Sequence, residues 1–178
     1  FEFDNIYRKY KNENNLIINN FALGDKIEEK FFNVNHYTGS SSFLETNQKT
    51  EWAKLRSKQF KIDPANFVKN KSIVQIKTID DYCEKNQINK IDVLKIDTQG
   101  YEKNVLKGSS KMILSKKIKF IEIELIFSDI YNKTLSIKDI EIIIGNNYRL
   151  FANDNVGNLH SNMIYQLNLI YIEKEFYN

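Results

Sequence analysis

Apolar residues in this chain gather in short runs separated by polar, asparagine-rich stretches. Runs of Ile, Val, Leu and Phe at 30–35, 73–77, 91–97, 120–127, 148–152 and 167–172 read as strands. Another strand begins at Leu16-Ile17-Ile18 and ends in the turn-prone Ala22-Leu23-Gly24-Asp25. Helical spacing fills the gaps. Asp4 or Asn5 is placed to cap a short helix to about Asn12, with Ile6, Tyr7 and Tyr10 on one side. A helical piece surrounds Trp52, Leu55 and Phe60 and is broken at Pro64. Thr78 caps a helix to about Gln87, with Asp81 three residues on as an approximate capping box. After Gly100 a 3.6-period stripe carries Tyr101, Val105, Leu106, Met112 and Ile113. Residues 137–144 form a last helix, stopped by Gly145.

Strands alternating with helices imply right-handed βαβ units around a mainly parallel sheet. The final two strands, joined only by the loop at 154–162, must be antiparallel. No repeat or linker divides the 178 residues, which suffice for one sizeable core.

Composition narrows the function. A net charge of +3, with Lys and Arg scattered among acids, argues against nucleic acid. No apolar run approaches the roughly 20 residues of a membrane span. One cysteine, Cys83, excludes an internal disulfide and fits a reducing, cytoplasmic setting; it reads as a packing residue. His36 and His160 are isolated loop residues, and the sequons at Asn70 and Asn132 carry little weight in so asparagine-rich a chain.

The chemistry concentrates at 91–102, IDVLKIDTQGYE. A strand ends on Asp97 and a glycine-containing turn opens the next helix. In parallel α/β sheets, ligands bind beyond the carboxyl ends of the strands. Asp97 therefore stands at a ligand position, or else caps the segment starting at Gln99. Lys95, two residues earlier, faces the same side and either tunes Asp97 or pairs with Asp97 or Glu122. Glu122 and Glu124 alternate with Ile121, Ile123 and Leu125 and share one face. With Asp97 they are also a carboxylate set for Mg²⁺, but no tight ligand spacing supports a metal and none is assigned.

The segment Asp92-Val93-Leu94-Lys95-Ile96-Asp97-Thr98-Gln99-Gly100-Tyr101-Glu102, with Val105-Leu106-Lys107-Gly108 behind it, resembles the FkbM family of S-adenosylmethionine-dependent methyltransferases. Further matches fall in order: Phe1-Glu2-Phe3, Asn20-Phe21-Ala22-Leu23-Gly24-Asp25, Ser40-Ser41-Ser42, and Ile121-Glu122-Ile123-Glu124 with Tyr131. The resemblance spans nearly the whole chain. It implies a class I (Rossmann-like) α/β methyltransferase sheet, mainly parallel with an antiparallel C-terminal strand, lacking the first strand and the glycine-rich loop. Gln99 stands where many relatives carry an acid.

The resemblance also implies roles. Glu2, at the end of a strand, would contact the ribose. Asn20, Ala22 and Asp25 would line the adenine; Ser41 and Ser42 would border the cofactor or acceptor. Asp97 would touch the cofactor or orient the acceptor, with Lys95, Glu122 and Glu124 as further catalytic candidates. Tyr131 either walls the acceptor pocket or packs in the core. The acceptor would be a hydroxyl on a sugar, glycolipid or small metabolite. The chain starts on Phe1, so a single partial domain over 1–178, without measurable cofactor affinity by itself, is the expectation. The other reading is a non-catalytic α/β module that binds a glycan or protein.

Overall fold

In the computed structural model, residues 2–127, 130–131, 135–158 and 164–177 are described. Asn132, His160 and the rest of 159–163 lie outside them. Phe3, Ile6, Tyr7 and Tyr10 recur at helical spacing, and helix α1 (Glu2–Tyr10) follows that stripe. The rings of Phe3 and Tyr7 stack with centroids 5.8 Å apart. This corrects the strand end expected at Phe1-Glu2-Phe3: Phe3 belongs to the helical stripe, and so short an extended piece has no ladder partner to hold it. Asp4 and Asn5 consequently lie inside the helix rather than capping it.

The strand expected from Leu16 shrinks to β1 (Ala22–Leu23). Ile17 is 79% exposed, so nothing rewards ordering it as a strand. Then come β2 (Glu28–Asn35), α2 (Glu51–Phe60) and β3 (Val68–Lys77). Thr50 caps α2 by accepting from the Ala53 amide, and Lys61 closes it in a left-handed conformation. The next unit is α3 (Ile79–Lys85), β4 (Ile91–Ile96) and α4 (Glu102–Lys107). It continues through α5 (Ser110–Leu114), β5 (Ile118–Ile126) and α6 (Ile137–Ile144). The hairpin strands β6 (Tyr148–Asn158) and β7 (Ile164–Glu173) close the fold.

The result is a mixed α/β fold whose described strands form two sheets, β1-β3-β2 and β4-β5-β7-β6. That differs from the single sheet expected. Strand β3 starts at Val68 rather than Ile73, long enough to pair antiparallel with all of β2, while β1 joins β3 in parallel over two residues. In the other sheet β4 and β5 are parallel, and β7 is antiparallel to both β5 and β6. Three strands thus run one way, with β7 against them.

Alternation along β5 divides this sheet. Ile121, Ile123 and Leu125 pack in the main core with residues of α3, α4, α5 and α6, Cys83 among them. Glu122 and Glu124 therefore point to the opposite face. A smaller core joins Trp52 and Ala53 of α2 to Phe67, Ile126 and Tyr131. The single helix expected after Gly100 is two, because the chain breaks at Gly108-Ser109 while Leu106 and Ile113 stay on the same buried face. Among the described residues no helix is long and apolar enough to cross a membrane.

Candidate active site

Strand β4 must turn into α4 within a few residues, and the turn is built for it. Gln99 (φ +52°) and Gly100 (φ +93°) both adopt left-handed backbone. A side chain at 100 would also meet Leu44 and Tyr131 at 2.9 and 3.0 Å, which only glycine avoids. Glu102 is buried at 2% exposure, and its Oε1 accepts from the Thr98 amide (2.9 Å), the Thr98 hydroxyl (3.2 Å) and the Gly100 amide (2.9 Å). Burial pushes this carboxyl up from its ordinary value, and the hydrogen bonds oppose that shift.

Around this turn three side chains come together. The Gln99 amide nitrogen donates to Asp97 Oδ1 (3.0 Å) and to Glu124 Oε2 (2.8 Å). The Ser42 hydroxyl donates to the Gln99 carbonyl at 2.7 Å. The Tyr131 hydroxyl donates to the Ser40 carbonyl (2.9 Å) and lies 3.3 Å from the Gln99 amide oxygen. Burial first, then the charge and hydrogen bonding of Asp97, pushes Glu124 up to about 7.

Asp97, Thr98 and Gln99 open onto a cleft of about 1140 Å³. Its far wall is one face of the β2–β3 pair, where Phe32 stands opposite Ser72 and Val34 opposite Asn70. Phe43 and Tyr101, with centroids 4.8 Å apart, form an aromatic side. Phe21 and Ala22 close one end, and Phe3 of α1 reaches in from another.

The expected site residues divide accordingly. Asp97, Ala22 and Ser41 line the cleft. Asn20 lines an adjoining pocket of about 290 Å³ that shares Phe3, Phe21 and Ala22 with it. Asp25 is exposed, and its carboxylate accepts from Asn104 at 2.9 Å away from the cleft. Ser42 is fully buried and supports the turn from behind. The Glu2 side chain lies outside the described residues. Lys95 pairs with Glu122 at 2.5 Å, and Asn168 donates to the same Glu122 oxygen at 3.0 Å. Of the two glutamates, Glu124 is the one joined to Asp97. Tyr131 packs in the smaller core. Among the described residues no three His, Cys, Asp or Glu side chains gather as a metal site.

Sequence reasoning missed the aromatic lining, His36 and Gln99 as parts of the site. The period-2 series Lys30, Phe32, Val34 and His36 was the available signal for the hairpin face.

Comparison with known proteins gives one decisive match: the model of the methyltransferase FkbM domain covers residues 1–158. The chain belongs to the FkbM methyltransferase family. No curated protein and no solved structure matches it. The region matched to the FkbM domain contains every residue that lines the cleft.

Proposed function

We propose that this chain is an S-adenosylmethionine-dependent methyltransferase that methylates a hydroxyl on a sugar, glycolipid or small metabolite. The observation that carries the reading is Asp97, an exposed carboxylate at a strand tip, opening onto a cleft with an aromatic wall. Small-molecule pockets typically enclose about 300–1,000 Å³, so this cleft has room for a cofactor and an acceptor side by side.

The lining suits the cofactor. Flat apolar faces on Phe21, Phe43 and Tyr101 match a purine, and Ser41, Asn70, Ser72 and Thr98 offer hydrogen-bonding groups. The Asp97 carboxylate suits a neighbouring positive charge. When bound, S-adenosylmethionine supplies a methyl group carried on a cationic sulfur. The chain's residues do the rest. The cleft walls hold the acceptor in place, and positioning accounts for most of the rate. Asp97 accepts the hydrogen bond of the acceptor hydroxyl and takes its proton. Lys95 pairs with Glu122 and does not line the cleft, so among the described residues no salt bridge occupies the Asp97 carboxylate. The lone cysteine, Cys83, free and buried in α3, supports a reducing, cytoplasmic setting.

Asp97→Asn keeps the shape and removes the proton acceptor. Turnover should fall about 10²- to 10⁴-fold; unchanged turnover would remove Asp97 from the reaction.

A further inference from the structure

Gln99 occupies an unusual position. Its amide is the only group bonded to both Asp97 and Glu124 among the described residues, and its orientation is fixed from two sides. The amide oxygen faces the Tyr131 hydroxyl, so the two N–H bonds must face the carboxylates. Its backbone is held in turn by the Ser42 hydroxyl. The two acids it bridges live in different surroundings: Asp97 is exposed and lines the cleft, whereas Glu124 is 8% exposed and does not. Two carboxylates sharing one site do not both ionise freely, and the buried member keeps the proton.

We infer that Gln99 is a positioning residue that joins the exposed acid to the buried one and, by donating one N–H to each, favours their charged forms against the burial of Glu124. One amide N–H per acid aligns them, and neither N–H is left to compete for a ligand in the cleft. The other groups facing Glu124 divide into two charges that this donor works against and one that works with it. The Asp97 charge from the end of β4 and the Glu102 charge from α4 both favour the proton on Glu124, and only Lys95 opposes them. From β7 the neighbour is Asn168, which is neutral, with Asp154 of β6 one strand beyond. Burial and these charges outweigh the donors and leave Glu124 raised to about 7. The role rests on the proposed methyl transfer for its purpose: the bridge holds the Asp97 carboxylate in place at the cleft for the acceptor hydroxyl.

The test does not need activity. Side-chain carboxyl carbons of the 178-residue chain are titrated by ¹³C NMR, natively and in Gln99→Asn and Gln99→Met. Asparagine tolerates the left-handed backbone but is one methylene too short to span both acids; methionine keeps the length and loses both donors. The expected result is a native Glu124 midpoint near 7. Each variant should raise that midpoint by about one unit, a tenfold change in proton affinity, because the charged form loses its donor. A native Glu124 that titrates with the ordinary carboxylates would overturn the inference even if both variants failed to fold. So would a midpoint that neither folded variant moves. An intact titration in a protein that transfers no methyl group would instead contradict the proposed function and leave the role of Gln99 standing.

Discussion

The Ser42 hydroxyl donates to the Gln99 carbonyl at 2.7 Å and accepts from the Leu44 amide at 3.0 Å. One fully buried oxygen thus ties the segment after β2 to the turn after β4. Ser42→Ala leaves a buried carbonyl and an amide without this partner. The expected cost is about 1–3 kcal/mol, seen as a lower urea midpoint with an unchanged slope.

Gly108 makes a closer approach. A Cβ there would sit 1.9 Å from the Gly24 carbonyl oxygen, a backbone atom that cannot swing aside. The junction of α4 and α5 therefore rests directly on the turn after β1. Gly108→Ala should destabilise by more than about 3 kcal/mol, in the range reserved for severe overpacking. Thermal unfolding followed by circular dichroism would show it, with Ser109→Ala as the milder neighbouring control.

The pH dependence of stability contains a term from Glu124. Its folded value is raised from 4.5 to about 7, so between these values the folded state holds more protons than the unfolded one. Stability from this group is present below the unfolded value and lost as pH rises through the folded one. Glu124→Gln should match the native protein near pH 5 and exceed it near pH 8 by on the order of 1–2 kcal/mol, allowing for screening. Chemical denaturation at the two pH values checks both the sign and the crossover.

Asp139 carries the opposite sign. Lys103, at 2.6 Å, and the Ser136 side chain and backbone hold its carboxyl well below the usual aspartate range. This joins α4 to the capping box of α6. Its contribution is present above the ordinary value of 3.8 and disappears as pH falls through the lowered one. Asp139→Asn should melt below the native protein at pH 6, and the difference should vanish in strong acid.

Local signals explain why some elements were legible in the sequence. Helix α6 matches its expected bounds because Ser136, Asp139 and Gly145 mark both ends within ten residues. The shared facing of Glu122 and Glu124, away from the main core, was legible because strand alternation decides which way side chains point. The aromatic side was not, since it needs Phe43 and Tyr101, far apart along the chain, to meet in space. Gln99 was equally hidden: its amide meets Glu124 only once β4 lies parallel to β5 with Lys95 beside Glu122. The triplet at Phe1 misled in the reverse direction. Its alternation suggested a strand, while the wider spacing out to Tyr10 belongs to a helix.

The central claim is that the cleft beside Asp97 binds S-adenosylmethionine. The direct measurement is a titration of the intact protein with that compound, followed by amide NMR shifts. Saturable shifts should centre on Ala22, Ser41, Thr98 and Gln99, which line the cleft. Absence of saturable binding, or shifts confined to another surface, would contradict the account.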